Sequence, residues 1–83
     1  MQKTFLELLQ EQHQWPTDYL FKFVVPKKNV AAFCQALDLQ DFEAKESSGG
    51  KYQSLTFRWK MHTAEEVVKV YQKAAGIEGV ISL

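Results

Sequence analysis

Three groups of residues have types and spacings that bear on chemistry. The first is Ser47-Ser48-Gly49-Gly50-Lys51, where paired glycines precede a lysine as they do in phosphate-gripping loops. Such a loop needs G-x-x-x-x-G-K-[ST] between a strand and a helix, so that the helix N-terminus meets the phosphate. Here Lys51 is followed by Tyr52 and an alternating, strand-like run, which predicts the bend of a β-hairpin instead. The second is the lone thiol of Cys34, with His13 and His62 as the bases that could activate it. Cys34 falls on the apolar stripe of a helical pattern, where a thiol packs as a small hydrophobe. The third is the same cysteine and histidines taken as metal ligands, and their scatter matches no ligand spacing. We expect no catalytic residue, no metal site and no cofactor.

The elements that must position these residues belong to one small domain. The chain has 83 residues, too few for two cores, and buries somewhat over roughly 60% of its unfolded surface. Hydrophobic residues make up 46% and aromatic ones 13%, which is the composition of a packed globule. Ten basic side chains balance ten acidic ones, so the chain lacks the long-range field of a general nucleic-acid or membrane-surface binder. A single cysteine precludes an intrachain disulfide and suits a reducing compartment. "MQKTFLELLQEQ" has no apolar run for a signal peptide, and no stretch approaches the roughly 18 apolar residues of a membrane span. These features predict a soluble cytoplasmic protein.

Residues 1–16 read as an N-terminal arm with a short helix, and 17–83 as a single domain. In the arm, Thr4 and Glu7 have capping-box spacing, and Phe5, Leu8 and Leu9 share a face; Pro16 ends the segment. "YLFKFVV" predicts a strand near 19–25, with Phe21, Phe23 and Val25 inward and Lys22 outward. Asn29 is the expected N-cap of a helix near 29–38, whose stripe is Val30, Phe33, Cys34 and Leu37. "DFEAKESS" predicts a strand near 41–47 with Phe42 and Ala44 inward and Glu43 and Lys45 outward. In the strand near 52–61, Leu55, Phe57, Trp59 and Met61 alternate with Ser54, Thr56, Arg58 and Lys60, which predicts one buried and one wet face. Thr63 and Glu66 form a second capping box, opening a helix near 63–75 that Gly76 stops. "GVISL" is the final strand, near 79–83.

The order is strand, helix, strand, hairpin, strand, helix, strand. With right-handed crossovers this is an α+β fold, the ferredoxin-like βαββαβ sandwich: a four-stranded antiparallel sheet with two helices on one face. Acylphosphatases of this fold use an arginine in the first strand-helix loop and an asparagine on a central strand. This chain has Asn29 and Arg58 in the reverse places, and its first loop, "PKKN", offers only lysines, so that activity is not expected. The open sheet face is expected to carry Lys22, Val24, Lys45, Thr56, Arg58 and Lys60, with Glu43 among them. Lys22, Lys45, Arg58 and Lys60 are therefore the candidate binding residues. An RNA-binding module stacks bases on aromatics of this face. Here Phe57 and Trp59 point the other way, so nucleic acid is the secondary expectation and a solvated face the simpler one.

"KTFLELL", "WPTDYLFKFVV", "SSGGKYQSLTF" and "TAEEVVKVYQKAAGIEGVISL" together resemble the bacterial YbeD-like family of small proteins of unknown function. The resemblance spans nearly the whole chain. Its most specific parts are Pro16 before the first strand, the Ser-Ser-x-Gly-Lys-Tyr hairpin with Ser54 beyond it, and the ending Val80-Ile81-x-Leu83. It implies a ferredoxin-like fold similar to ACT-type small-molecule sensing domains, and no catalytic residues. A regulatory domain acting on a protein or small-molecule partner is therefore expected, as a monomer or weak homodimer. Glu43, Lys45 and Glu46 guard the second strand's edge with charge, whereas "GVISL" carries none. Any contact with another chain is thus expected at the C-terminal edge (Val80, Ser82) or the arm (Phe5, Leu8, Leu9), unless the arm folds back as a lid.

Overall fold

The computed structural model describes residues 2–47 and 49–83. Helix α1 spans Phe5–Gln12, strand β1 Thr17–Pro26 and helix α2 Val30–Leu37, the last reached through a 3-10 turn over Lys27–Asn29. Strands β2 (Glu43–Glu46) and β3 (Tyr52–Met61) form the hairpin, followed by helix α3 (Ala64–Ala75) and strand β4 (Ile81–Ser82). The four strands make one antiparallel sheet in the order β2-β3-β1-β4. This is the ferredoxin-like α+β sandwich, with α1 as an addition.

The central ladder sets the face of every other residue. β1 and β3 pair along their full length, with Phe21 opposite Phe57, Phe23 opposite Leu55 and Tyr19 opposite Trp59. Directly paired residues share a face. Phe21, Phe23, Leu55 and Phe57 are buried there beneath Phe33 of α2 and Val67 of α3, and Trp59 lies half-buried on the same side, as its alternation predicts.

The hairpin bend contains Gly49 and Gly50 at φ 109° and 70°, a region that glycine enters without steric cost. The Ser47 amide donates to the Tyr52 carbonyl and the Gly50 amide to the Ser47 carbonyl, closing the loop. Ser48, which the sequence also places in this bend, lies outside the described residues.

Local signals are answered in partly unexpected ways. Thr4 and Thr63 both cap their helices, accepting hydrogen bonds from the Glu7 and Glu66 amides. Glu66 reaches back to the amide of His62, one residue before the cap, at 2.6 Å. Asn29 makes no cap hydrogen bond. Its side-chain amide instead donates to the Glu78 carbonyl at 2.9 Å, joining the first strand-helix loop to the α3–β4 loop. The 3-10 turn removes the need for a side-chain cap, because it bonds the backbone as the chain enters α2.

Two inward assignments are corrected. Ala44 is on the helix-side face, opposite Leu55, but it is exposed, as is all of β2. Phe42 falls before the strand, is 36% exposed and borders a depression with Leu20 and Arg58 of the open face. β2 is an outer strand, and the helix layer does not extend over it.

Candidate functional site

The sheet face opposite the helices is one surface on which candidate residues converge. Alternation along β1 and β3 sends Lys22, Arg58 and Lys60 to this side, and Lys45 joins them opposite Ser54. Lys22 stands opposite Thr56 and Arg58 opposite Leu20. Acids are interspersed: Asp18 faces Lys60, and Glu43 faces Thr56. The four basic candidates are thus brought onto one surface, but as a mixed-charge face rather than a purely cationic one.

Val24 is on this face as expected, and two further apolar residues outside the expected set join it. Leu20 is 43% exposed in the middle of β1, and Ile81, opposite Val24, is 57% exposed. Phe42 borders the same side. The signal was present in "YLFKFVV": once Phe21 and Phe23 point inward, Leu20 and Val24 must point out with Lys22. Phe42 could not be found this way, because its position depends on where β2 begins.

The arm and C-terminal residues occupy a second region. α1 lies against α3; Phe5 meets the Tyr71 ring edge-on at 5.4 Å and Gln10 donates to Glu65. Leu9 is 3% exposed and Leu6 packs on the core beside it, so the buried face of α1 is Leu6–Leu9 and not Phe5–Leu8–Leu9. Leu9 is therefore committed to its own domain and unavailable to a partner. Val80 is half-buried against the core, while Phe5 and Leu8 remain exposed. Ser82 pairs with Phe23 and, with Leu83, Phe5 and Tyr71, borders a shallow groove. Burial, and then the Tyr19 hydroxyl at 3.4 Å, raises the Tyr71 phenol above its usual range, so it stays protonated.

The nucleophile candidates are separated. Cys34 is half-buried on α2 and burial raises its thiol pKa, the reverse of activation. His13 lies against the rings of Trp15 and Tyr19, and His62 contacts Glu66. Among the described residues no cluster of three or more His, Cys, Asp or Glu side chains could hold a metal. Among the same residues no helix is long and apolar enough to cross a membrane.

A family model described as a protein of unknown function (DUF493) matches residues 10–83. This chain belongs to the DUF493 family. No curated protein and no solved structure matches it. The match starts within α1 and covers the whole sheet, so the DUF493 domain includes both the open face and the edges of its outer strands. Lys27, in the first loop of this DUF493 chain, is tied to Glu46 by an ion pair, and that hydrogen bond holds the Glu46 carboxyl below its usual range. Lys28 and Lys51 line a shallow depression beside it with Pro26 and Tyr52.

Proposed function

We propose that this chain is a non-catalytic regulatory or binding domain that engages a protein partner through the open face of its sheet. The observation that carries this is Leu20, 43% exposed at the centre of a strand and flanked by Lys22 and Arg58. An apolar centre rimmed by charge is the pattern of an interaction surface. The cations favour a partner segment that presents apolar residues among acidic ones. The YbeD-like resemblance and the likeness to ACT-type domains support a regulatory role in the bacterial cytoplasm. The thiol of Cys34, raised and turned into a helix stripe, supports a non-catalytic role.

RNA is the second reading, favoured by the four cations on one face. It lacks central aromatic rings for base stacking. One experiment separates the two. The wild-type protein, Leu20→Asp, the double variant Arg58→Glu with Lys60→Glu, and the control Gln72→Ala are immobilised and exposed to native lysate. We expect a protein retained by wild type and control but lost from both face variants. A parallel titration with single-stranded RNA should be flat at low salt. Binding that falls steeply with salt and disappears in the charge-reversed double variant would transfer the face to RNA. Retention indifferent to Leu20 would remove the protein-partner reading.

A further inference from the structure

The outer edge of β2 carries the information needed to pair with itself. We propose that two copies of this chain associate through β2 edges, in antiparallel register centred on Ala44, to form one continuous sheet.

Hydrogen-bond parity shows which groups are available. The Ser47 amide donates to Tyr52, so the ladder-bonded positions of β2 are Ser47, Lys45 and Glu43, opposite Tyr52, Ser54 and Thr56. The parity of β1 agrees independently: the Lys22 carbonyl points to the other edge and accepts from Leu83 at 3.0 Å. Alternation therefore turns the amide and carbonyl of Ala44 and Glu46 away from β3. All four residues of β2 are exposed, and no described element pairs with that side.

The partner follows from charge. An edge bearing Glu43, Lys45 and Glu46 opposes an arbitrary strand by desolvation and repulsion. In antiparallel self-pairing centred on Ala44, each Glu43 stands opposite the partner's Lys45, and each Lys45 opposite the partner's Glu43. Ala44 then exchanges both backbone bonds with its counterpart. Opposite charges in closely spaced cross-strand pairs are favourable, and a two-fold axis repeats each contact. One register thus satisfies backbone and side chains together.

The other edge does not. Leu83 occupies the position opposite Lys22, so the outward groups left on β1 are those of Asp18 and Leu20. Symmetric pairing centred on Leu20 needs the place opposite Lys22 that Leu83 already fills, and the other registers set Asp18 against Leu20 or against another Asp18, neither of which is complementary. This inference concerns a different surface from the open face and stands without the partner proposed for it.

The interface is small, so a weak dimer is expected, in the micromolar range or above. Sedimentation equilibrium over a wide concentration range tests it, with circular dichroism confirming that each variant is folded. Wild type should show a monomer–dimer equilibrium. Glu43→Lys and Lys45→Glu should each weaken it by about tenfold or more, because each turns both attractive pairs into repulsive ones. The double variant should recover the wild-type equilibrium, and the two single variants mixed together should form a heterodimer. Ala44→Pro removes an amide that faces away from β3, so it should abolish the dimer and spare the fold. A wild type that stays monomeric throughout overturns the proposal. So does a dimer that the single charge reversals leave unchanged, or one that the double variant does not restore.

Discussion

Phe21 and Phe57 face each other across the β1–β3 ladder, with ring centroids 5.2 Å apart and ring planes 24° from parallel. Both are buried, and their common orientation decides the other positions of the two central strands. If Phe21 and Phe57 point at the helices, Leu20, Lys22, Arg58 and Lys60 point away.

Truncating Phe57 to alanine leaves a cavity under two helices and should cost about 3–5 kcal/mol. For a domain of this size, that is much of its total stability. Leu20→Ala on the opposite face should change stability by no more than about 0.5 kcal/mol. Urea unfolding of both variants checks the sheet orientation. Equal losses would show that Leu20 is covered in the isolated chain.

The bond from Asn29 to the Glu78 carbonyl ties two loops that are far apart in sequence. Asn29→Asp keeps the shape and loses the donor, so it should destabilise by about 0.5–1.5 kcal/mol. Hydrogen exchange should quicken in the Gly76–Val80 loop of this variant. An effect confined to the start of α2 would mean that Asn29 acts as a cap.

Gly79 packs where a side chain cannot go. At φ 81°, an added Cβ would lie 2.6 Å from Cγ of Pro26. Both strain and clash act on Gly79→Ala, which should lose about 1–3 kcal/mol and loosen β4 from β1. A thermal melt at the wild-type temperature would refute this.

Glu66 supplies a dependence on pH. The His62 amide, donating to its carboxylate, holds that carboxyl below its ordinary value of 4.5. The unfolded chain therefore takes up this proton first as pH falls. The contribution is complete above about pH 4.5 and is lost as pH drops through the lower folded value. Glu66→Gln should melt below wild type at neutral pH, and the gap should narrow as pH falls below about 4.5. A gap constant with pH would assign the effect to packing.

Much of this protein was legible in its sequence because the determining forces are local. Strict alternation from Leu55 to Met61 specifies a half-buried strand, and a period near 3.6 from Val67 to Ala74 specifies a helix. Thr4, Thr63 and the paired glycines mark starts and turns through contacts only a few residues long. The same parity places Lys22, Arg58 and Lys60 on one face, and it carries Leu20 there too. Other features depended on distant partners. Asn29 has the form of a cap, but Glu78, brought close by the fold, claims its side chain. Ala44 has inward parity, yet helix coverage ends before β2 and leaves it exposed. Leu9 could have served a partner or its own core, and the surface of α3 decided for the core. Periodicity depends on a residue's neighbours along the chain, whereas burial and hydrogen-bond choice depend on which surfaces the tertiary structure brings together.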